Sequence, residues 1–327
     1  MTDQTLAQAS DIAVWATMVV LTLAMLAFAA HLAVTGTRVR DRSSDATAEG
    51  SAGSVASEGS ADDAGAVAVL APEEAEPPAP SRRWGIIGLQ LTWLATFGLI
   101  AGVALRGLSV GRAPLGNMYE FATVAVMFTL IVYSAWSLRQ DRLWLGLFIT
   151  LPATLILAAA KLSWYTEASQ LMPSLNSIWL VIHVTVATLS VALFTIGCAL
   201  ALLYLAKDRA EAKGEVPNWL AALPSAPSLE RITYGLHIVA FPLWTFTLIA
   251  GAIWAEQAWG RYWGWDPKEV WTFVIWVVYA AYLHARATSG WTARKATWLA
   301  VAGFGCIIVN YAVVNVFFVG WHSYSGL

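Results

Sequence analysis

Hydrophobic residues dominate long stretches of this chain, with few polar positions inside each stretch. Every stretch has about 18 residues or more, the length that a helix needs to cross the apolar part of a membrane. We predict a transmembrane helix for each of eight stretches, at residues 12–35, 84–105, 117–138, 143–160, 177–206, 232–255, 270–288 and 296–320. The expected fold is therefore all-α and polytopic, with about eight transmembrane helices.

One polar segment separates the first predicted span from the others. Residues 43–81 are rich in Ala, Gly, Ser, Asp, Glu and Pro and contain no aromatic residue. Such a composition buries too little apolar surface to fold. The first span lacks the basic start and cleavage pattern of a secretory signal, so we expect it to be retained. The chain is predicted to have a helix within 1–35, a disordered cytoplasmic linker at 36–83 and a seven-helix core at 84–327.

Basic residues fall on alternate connections between the predicted spans. Lys and Arg are concentrated at residues 38–83, 139–142, 207–231 and 286–295, whereas the other connections contain few of them. Positive residues in short connections favour the cytoplasmic side of a membrane. We therefore expect both termini and the connection at 254–271 to be extracytoplasmic, in the plasma (inner) membrane of a bacterium.

Composition agrees with a membrane protein and argues against several other classes. Of the 327 residues, 58% are hydrophobic and 12% charged, whereas soluble proteins have about 25% charged residues. The net charge of -2 gives no basis for a nucleic acid partner. Cys198 and Cys306 lie in apolar stretches, outside any C-x-x-C or C-x-x-C-H motif, and we expect them to be core residues.

The connection at 254–271 is unusually rich in tryptophan. It reads WAEQAWGRYWGWDPKEVW and contains Trp254, Trp259, Trp263, Trp265 and Trp271. Tryptophan often anchors proteins at membrane boundaries, but five in one connection, together with glycines, exceed what anchoring needs. Because aromatic faces stack on flat apolar molecules, we predict a binding surface for a planar ligand with polar edges.

Two histidines are expected beside these tryptophans. His183 is six residues into the fifth span, about 9 Å below the outer surface, and His322 follows the last span. Two imidazoles can bind the iron of a flat macrocycle from opposite sides, so the pattern predicts a haem site open to the extracytoplasmic space. The alternative for each histidine is a hydrogen bond to a neighbouring helix.

A third histidine is predicted at a different depth. His284 is about 20 Å below the outer surface at helical rise, too far from the first two to share one haem with them. It indicates a second, inner haem site or a structural role. His31 and His237 also fall in the inner half of their spans, and either is a second ligand for that site or a core residue.

Charged residues at the end of the tryptophan-rich connection have two explanations. Asp266, Lys268 and Glu269 surround a proline at the predicted start of a span, which is an ordinary helix-capping arrangement. The alternative is contact with the propionates of a haem, for which Arg261 and Lys268 would supply the positive charge.

At these residues the sequence resembles a known family. The string WGRYWGWDPKEVW is similar to the tryptophan-rich WWD signature of haem-handling proteins. The flanking strings GAIWAEQAWG and YLHAR resemble the CcsA (ResC) family of system II cytochrome c biogenesis. The likeness extends from about Pro114 to the C-terminus, and residues 1–83 share little of it. Arg112 stands where the family often has a histidine.

The resemblance implies ligands, partners and an activity. By matching motif, His183 in WLVIHVTVATLS and His322 in GWHSYSG correspond to the axial ligands of an external haem, and His284 in YLH to the ligand of an inner haem. The family presents haem b on its WWD surface, here Trp254, Trp259, Trp263, Trp265, Asp266 and Trp271. The haem is then attached covalently to the C-x-x-C-H motif of apocytochrome c, with a CcsB (ResB) membrane protein as partner.

The resemblance thus implies that the chain is one component of a holocytochrome c synthase, also called a haem lyase. This complex would be embedded in membrane lipid. The residues themselves leave three other functions open. The first is a haem exporter without ligation activity, and the second is a b-type haem electron carrier. The third is a structural membrane subunit whose tryptophans are anchors and which binds no haem.

Overall fold

The computed structural model describes residues 2–52, 80–172 and 175–322, which form helices and connections without a strand. Eight helical segments among these residues are long and apolar enough to cross a membrane. The predicted all-α, polytopic architecture is therefore confirmed.

The helices differ widely in length, from single turns to more than twelve turns. In chain order they are α1 (Gln4–Ala52), α2 (Pro80–Val110), α3 (Met118–Arg139), α4 (Gly146–Ser163), α5 (Ile178–Lys213), α6 (Asn218–Ala221), α7 (Ala226–Trp259), α8 (Pro267–Ala287), α9 (Ala293–Ile308) and α10 (Asn315–Phe317). A 3₁₀ turn at Leu143–Leu145 precedes α4, and a π-helical segment at Val309–Val314 joins α9 to α10. The last span is thus continuous from Ala293 to Phe317.

Several helices continue beyond the predicted spans. α1 extends to Ala52 and so includes the first part of the segment 36–83 that we expected to be disordered. This part of the segment contains alanine and arginine, which favour helix, and it continues an existing helix, which avoids the cost of nucleation. Residues 53–79 of the same segment lie outside the described residues.

The helices pack in pairs around two apolar cores. α1 packs along α2 and against α4, and their core includes Leu21, Phe28 and Leu99. α5 packs along α7 and α8 along α9, with Phe194 and Tyr279 in the second core. Cys198 is buried and Cys306 partly buried, as expected for core residues.

Glycines allow α5 and α7 to approach closely at two points. His183 of α5 lies over Gly251 of α7, and His237 of α7 lies over Gly197 of α5. A Cβ atom added at Gly251 or Gly197 would be 2.7 or 2.6 Å from the facing ring, too close for a real side chain. The two helices run antiparallel, and the two contacts are 14 residues apart along each helix, the first near the start of α5 and the second near the middle of both helices.

α1 is part of the bundle although it precedes the polar segment. Ser10 donates a hydrogen bond to the carbonyl of Gly102 at 2.7 Å, and Asp11 pairs with Lys161 of α4 at 2.5 Å. Farther along α1, the ring of Phe28 fills the space above Gly146. These contacts fix α1 against α2 and α4 along its length.

We predict that Gly146→Ala destabilises the bundle, because the new methyl group meets the ring of Phe28. Overpacking of this kind costs about 1–3 kcal/mol. The thermal unfolding midpoint in detergent should fall. Gly235→Ala in α7 is the matched control, since no atom lies within 4 Å of its added Cβ, and it should keep or slightly raise the midpoint. Equal midpoints for both variants would contradict the proposed packing.

Candidate functional site

A cavity of about 440 Å³ opens at one end of the bundle, between α3, α5, α7, α8 and the π-helical segment. We call this end, where α7 ends and α8 begins, the site end. The walls of the cavity include His183, Trp254, Trp263, Lys268 and His322. Both histidines predicted for one face are therefore at one cavity, together with two of the tryptophans.

His183 is held inside the α5–α7 contact. Its Nδ1 is 2.9 Å from the carbonyl oxygen of Thr247 in α7. A carbonyl only accepts hydrogen bonds, so in the neutral ring Nδ1 carries the proton and Nε2 carries the lone pair. The imidazole lies almost parallel to the indole of Trp254, with ring centres 6.0 Å apart and an angle of 14°. Trp254 thus limits the orientation of the His183 ring from one side.

His322 lies on the segment that follows α10, residues 318–322, which we call the C-terminal strap. Its Nδ1 donates a hydrogen bond to Oδ1 of Asp266 at 2.8 Å. The ring also contacts Trp259 edge-to-face at 4.9 Å and Trp254 at 5.9 Å. Trp254 therefore contacts both histidines, and each histidine has its Nδ1 engaged with an oxygen atom.

Asp266 joins three parts of the site end. It is the N-cap of α8, where it accepts a hydrogen bond from the backbone of Lys268 at 3.1 Å. It also accepts from the backbone N–H of Trp321 at 2.6 Å and from His322. The strap can reach this carboxylate because Gly320 lies against it, where a Cβ would collide with Oδ2.

The same contacts keep Asp266 ionised. Burial by itself would raise the pKa of this carboxyl group, but the hydrogen bonds from His322, Trp321 and Lys268 outweigh it and lower the pKa below its ordinary value. At neutral pH the side chain is therefore a carboxylate, which accepts charge-assisted hydrogen bonds.

Glu269 holds the connection between α7 and α8. Its carboxylate accepts hydrogen bonds from Arg261 at 2.9 Å, from the backbone of Gly264 at 2.8 Å and from the backbone of Asp266 at 3.0 Å. With Asp266 it completes a capping box at the start of α8. Trp265, between these contacts, has a positive φ of 60°, which is uncommon for a residue with a side chain. Its indole is 74% exposed.

The structure corrects the extent of the tryptophan-rich connection predicted at 254–271. Trp254 and Trp259 belong to α7 and Trp271 belongs to α8, so the connection has only residues 260–266, with Trp263 and Trp265. We placed the ends of the spans where the sequence becomes less apolar. A helix can continue past that point, because tryptophan and glutamate are both tolerated in its last turns. Four of the site residues predicted at this end do not line the cavity: Trp259, Trp265, Asp266 and Trp271.

The walls of the cavity are mainly apolar but include polar residues, among them Lys268, Asn310 and Glu269. The ammonium group of Lys268 donates to the carbonyl oxygen of Asn310, in the π-helical segment, at 2.9 Å. The side chain of Asn310 in turn donates to Thr272 of α8 at 3.4 Å. Sequence reasoning missed Asn310, and an asparagine inside an apolar stretch was the signal for it.

Arg261, the other cation considered for this site, has a different environment. It pairs with Glu269 at 2.9 Å and lies over the rings of Trp259 and Trp321 at 5.5 and 5.4 Å. It does not line the cavity. Of the two cations, only Lys268 is part of the cavity wall.

Another buried carboxylate fixes the connection before α3, next to the cavity. Glu120 binds Arg106 at 2.8 Å, Arg112 at 2.9 Å and the backbone of Gly116 at 2.7 Å. Asn117 caps α3 by accepting from the backbone of Glu120. Arg112, the residue at the position where the CcsA family often has a histidine, is thus paired with the carboxylate of Glu120.

The remaining histidines lie elsewhere. His284 is exposed, near the C-terminal end of α8 and away from the site end. His237 is buried, with Tyr279 and Tyr282 of α8 at ring distances of 5.3 and 4.9 Å. His31 of α1 packs against Gly85 of α2.

A comparison with known families gives the chain an identity at this point. Residues 115–322 match the family described as cytochrome C assembly protein. The chain belongs to this family. The matched range begins just before α3 and ends at His322, so it includes both histidines of the cavity and excludes α1 and α2.

Individual relatives in the family agree. A "Cytochrome c biogenesis protein CcsA" from Guillardia theta is 34% identical over 262 residues, which cover 74% of this chain and 86% of that protein. Proteins with the same name from Synechococcus sp. (strain JA-3-3Ab) and Microcystis aeruginosa are 33% and 35% identical, covering 84% and 85% of their own lengths. The protein therefore acts in the maturation of cytochrome c, a process that involves haem.

We predict that Glu269→Gln loosens the connection between α7 and α8, because the neutral amide is a weaker acceptor for Arg261 and for two backbone amides. A hydrogen bond to a charged group contributes about 1.5–3 kcal/mol. Hydrogen exchange at the amides of Gly264 and Asp266 should become about tenfold faster or more. The control is Glu256→Gln, on the exposed surface of α7. Unchanged exchange in Glu269→Gln would show that the carboxylate does not hold this connection.

Proposed function

We propose that this protein binds haem in the cavity at the site end and presents it for covalent attachment to the C-x-x-C-H motif of apocytochrome c. It would do so as the CcsA-type component of a system II synthase, with a CcsB/ResB-type partner. The site end would face the extracytoplasmic side of a bacterial plasma membrane. The main support is that His183 and His322 both line one cavity and both contact Trp254.

The residues present fit such a ligand. A volume of about 440 Å³ is within the range of about 300–1,000 Å³ that small-molecule sites occupy. The walls are mainly apolar, with Trp254 at the histidines and Lys268 and Asn310 at a polar edge. An apolar macrocycle with iron at its centre and propionates at one edge needs groups of these three kinds.

The two imidazoles suit iron because their Nδ1 atoms are already engaged. A hydrogen bond at Nδ1 fixes the ring and raises the basicity of the other nitrogen, which is the arrangement found at most histidine-metal sites. Thr247 and Asp266 supply these hydrogen bonds for His183 and His322. With both imidazoles as axial ligands, the haem iron would have no open coordination position and would stay reduced until apocytochrome c arrives.

Haem is the substrate of the proposed reaction. Each cysteine thiol adds across one vinyl group: a sulfur–carbon bond forms, the thiol hydrogen goes to the other vinyl carbon, and no electrons are lost or gained. The chain therefore needs no nucleophile of its own. Its contribution is to hold ferrous haem at a fixed position and orientation, which makes the reaction with a bound peptide effectively intramolecular.

Lys268 is the candidate partner of a haem propionate. It lines the cavity, whereas Arg261 is bound to Glu269 outside it. On binding, a propionate would replace the carbonyl of Asn310 as the acceptor for the ammonium group. A contact between two opposite charges is stronger than the contact it replaces.

His284 is the candidate ligand of a second, inner haem. Its side chain is exposed on α8, far from the site end, and burying an ionisable side chain in lipid alone would be costly. His237 is enclosed in the core, where its Nδ1 is hydrogen-bonded to Thr233 at 2.7 Å, and His31 is buried against Gly85 of α2. The resemblance to the CcsA family implies that the second ligand of the inner haem would come from the CcsB/ResB-type partner, and His31 and His237 are the alternatives within this chain.

We predict different effects for the histidines when the protein is purified with its membrane partner from haem-replete cells. The wild type should contain six-coordinate ferrous haem. His183→Ala/His322→Ala should change the reduced absorption spectrum and lower the yield of holocytochrome c about tenfold or more. His284→Ala should mainly lower haem occupancy.

The control is an apocytochrome c in which serines replace the two cysteines of C-x-x-C-H. It should bind to the complex but acquire no covalent haem. A wild type without haem would contradict the proposal. Bound haem without any association with apocytochrome c would favour an exporter instead.

We further predict that Lys268→Met weakens haem binding more than Arg261→Met does. The first variant removes the charge at the cavity wall, whereas the second removes one contact of the neighbouring connection. Retention of haem during competition with apomyoglobin would measure the difference, and we expect at least about a tenfold faster loss for Lys268→Met. A larger loss in Arg261→Met would assign the propionate to Arg261.

A further inference from the structure

The two histidines of the cavity are held by different kinds of structure. His183 is in the helix α5, packed over Gly251 and hydrogen-bonded to the main chain of α7. His322 follows the last helix, on the C-terminal strap, and its side chain is 21% exposed. His183 therefore lies on a packed helix, whereas His322 lies on a short segment outside the described helices.

Hydrogen bonds from the strap converge on one group. The backbone N–H of Trp321 and Nδ1 of His322 both donate to the carboxylate of Asp266, at 2.6 and 2.8 Å. Asp266 itself is fixed, since it caps α8 and is 4% exposed. One carboxylate thus accepts both of these hydrogen bonds and links the strap to the start of α8.

Exposed aromatic side chains lie near the strap. Trp321 on the strap is 58% exposed, and Tyr262 and Trp265 in the connection are 62% and 74% exposed. Trp259 contacts both Trp321 and His322. Trp321 adjoins His322 in the chain, so a peptide that binds the exposed ring of Trp321 also reaches the His322 side of the site.

We infer that His322 is the axial ligand that leaves when the histidine of C-x-x-C-H arrives, and that His183 stays on the iron. This inference rests on the proposed function. The step is a ligand exchange: the bond from iron to Nε2 of His322 breaks, a bond from iron to the incoming neutral imidazole forms, and neither an electron nor a proton is transferred. Asp266 is a positioning residue, which sets how readily the strap opens.

Carbon monoxide tests the assignment, because it binds six-coordinate ferrous haem only after one imidazole leaves. The protein would be purified with its membrane partner and its haem reduced. In Asp266→Asn, CO should bind about tenfold faster than in the wild type. The Fe–CO and C–O stretching frequencies should be measured together, because each alone also responds to charge near CO. The offset of the pair from their usual inverse correlation should stay the same, because this offset reports on the ligand that remains opposite CO.

Gly251→Ala is the matched variant for the other ligand. Its added Cβ would be 2.7 Å from the ring of His183, so the offset of the two frequencies should shift. Gly320→Ala, whose Cβ meets the carboxylate of Asp266, displaces the strap without a change of charge. It should reproduce the faster CO binding if Asp266→Asn fails to fold.

Three results would overturn the inference. An offset of the two frequencies that shifts in Asp266→Asn but not in Gly251→Ala would make His183 the ligand that leaves. CO binding at the wild-type rate in both strap variants would remove Asp266 and the strap from the exchange. A wild type without haem would overturn the proposed function, and the inference with it, whereas the first two results leave the proposed function intact.

Discussion

The site end depends on the capping box at the start of α8. Asp266 and Glu269 are acceptors placed where a helix leaves backbone N–H groups unpaired and where its dipole favours negative charge. Each carboxylate also accepts hydrogen bonds from a second chain segment. Glu269 accepts them from the connection 260–266, and Asp266 accepts them from the strap. The residues that cap α8 therefore also join the start of this helix to the strap, which is more than fifty residues away in the sequence.

The rigidity of the site comes from a different source, the contact between α5 and α7. Two glycines let two histidine rings lie between the helices, one at the site end and one near the middle of both helices. The first ring borders the cavity, while the second is buried among tyrosines and has no exposed surface to offer a ligand. Similar packing thus places one histidine at the wall of the cavity and the other in the core.

Much of the fold follows from hydropathy, and less of the site does. The eight spans and the common end of His183 and His322 were predictable, since apolar length and helical rise are local properties of the sequence. The ends of α7 and α8 were not, because nothing local distinguishes a tryptophan in a last helical turn from one in a connection. Nor was the contact of Asp266 with His322 predictable, since it joins residues that only the folded bundle brings together.

The π-helical segment Val309–Val314 sets the register of everything after it. A π turn contains one residue more than an α turn, and each residue of a helix advances the chain by about 100° around the axis. If this segment were regular α-helix, the end of the last span would be rotated by about that angle, and the strap would leave on another side of the bundle. The extra residue therefore sets the direction in which the strap leaves the last span, and this direction brings His322 to the cavity.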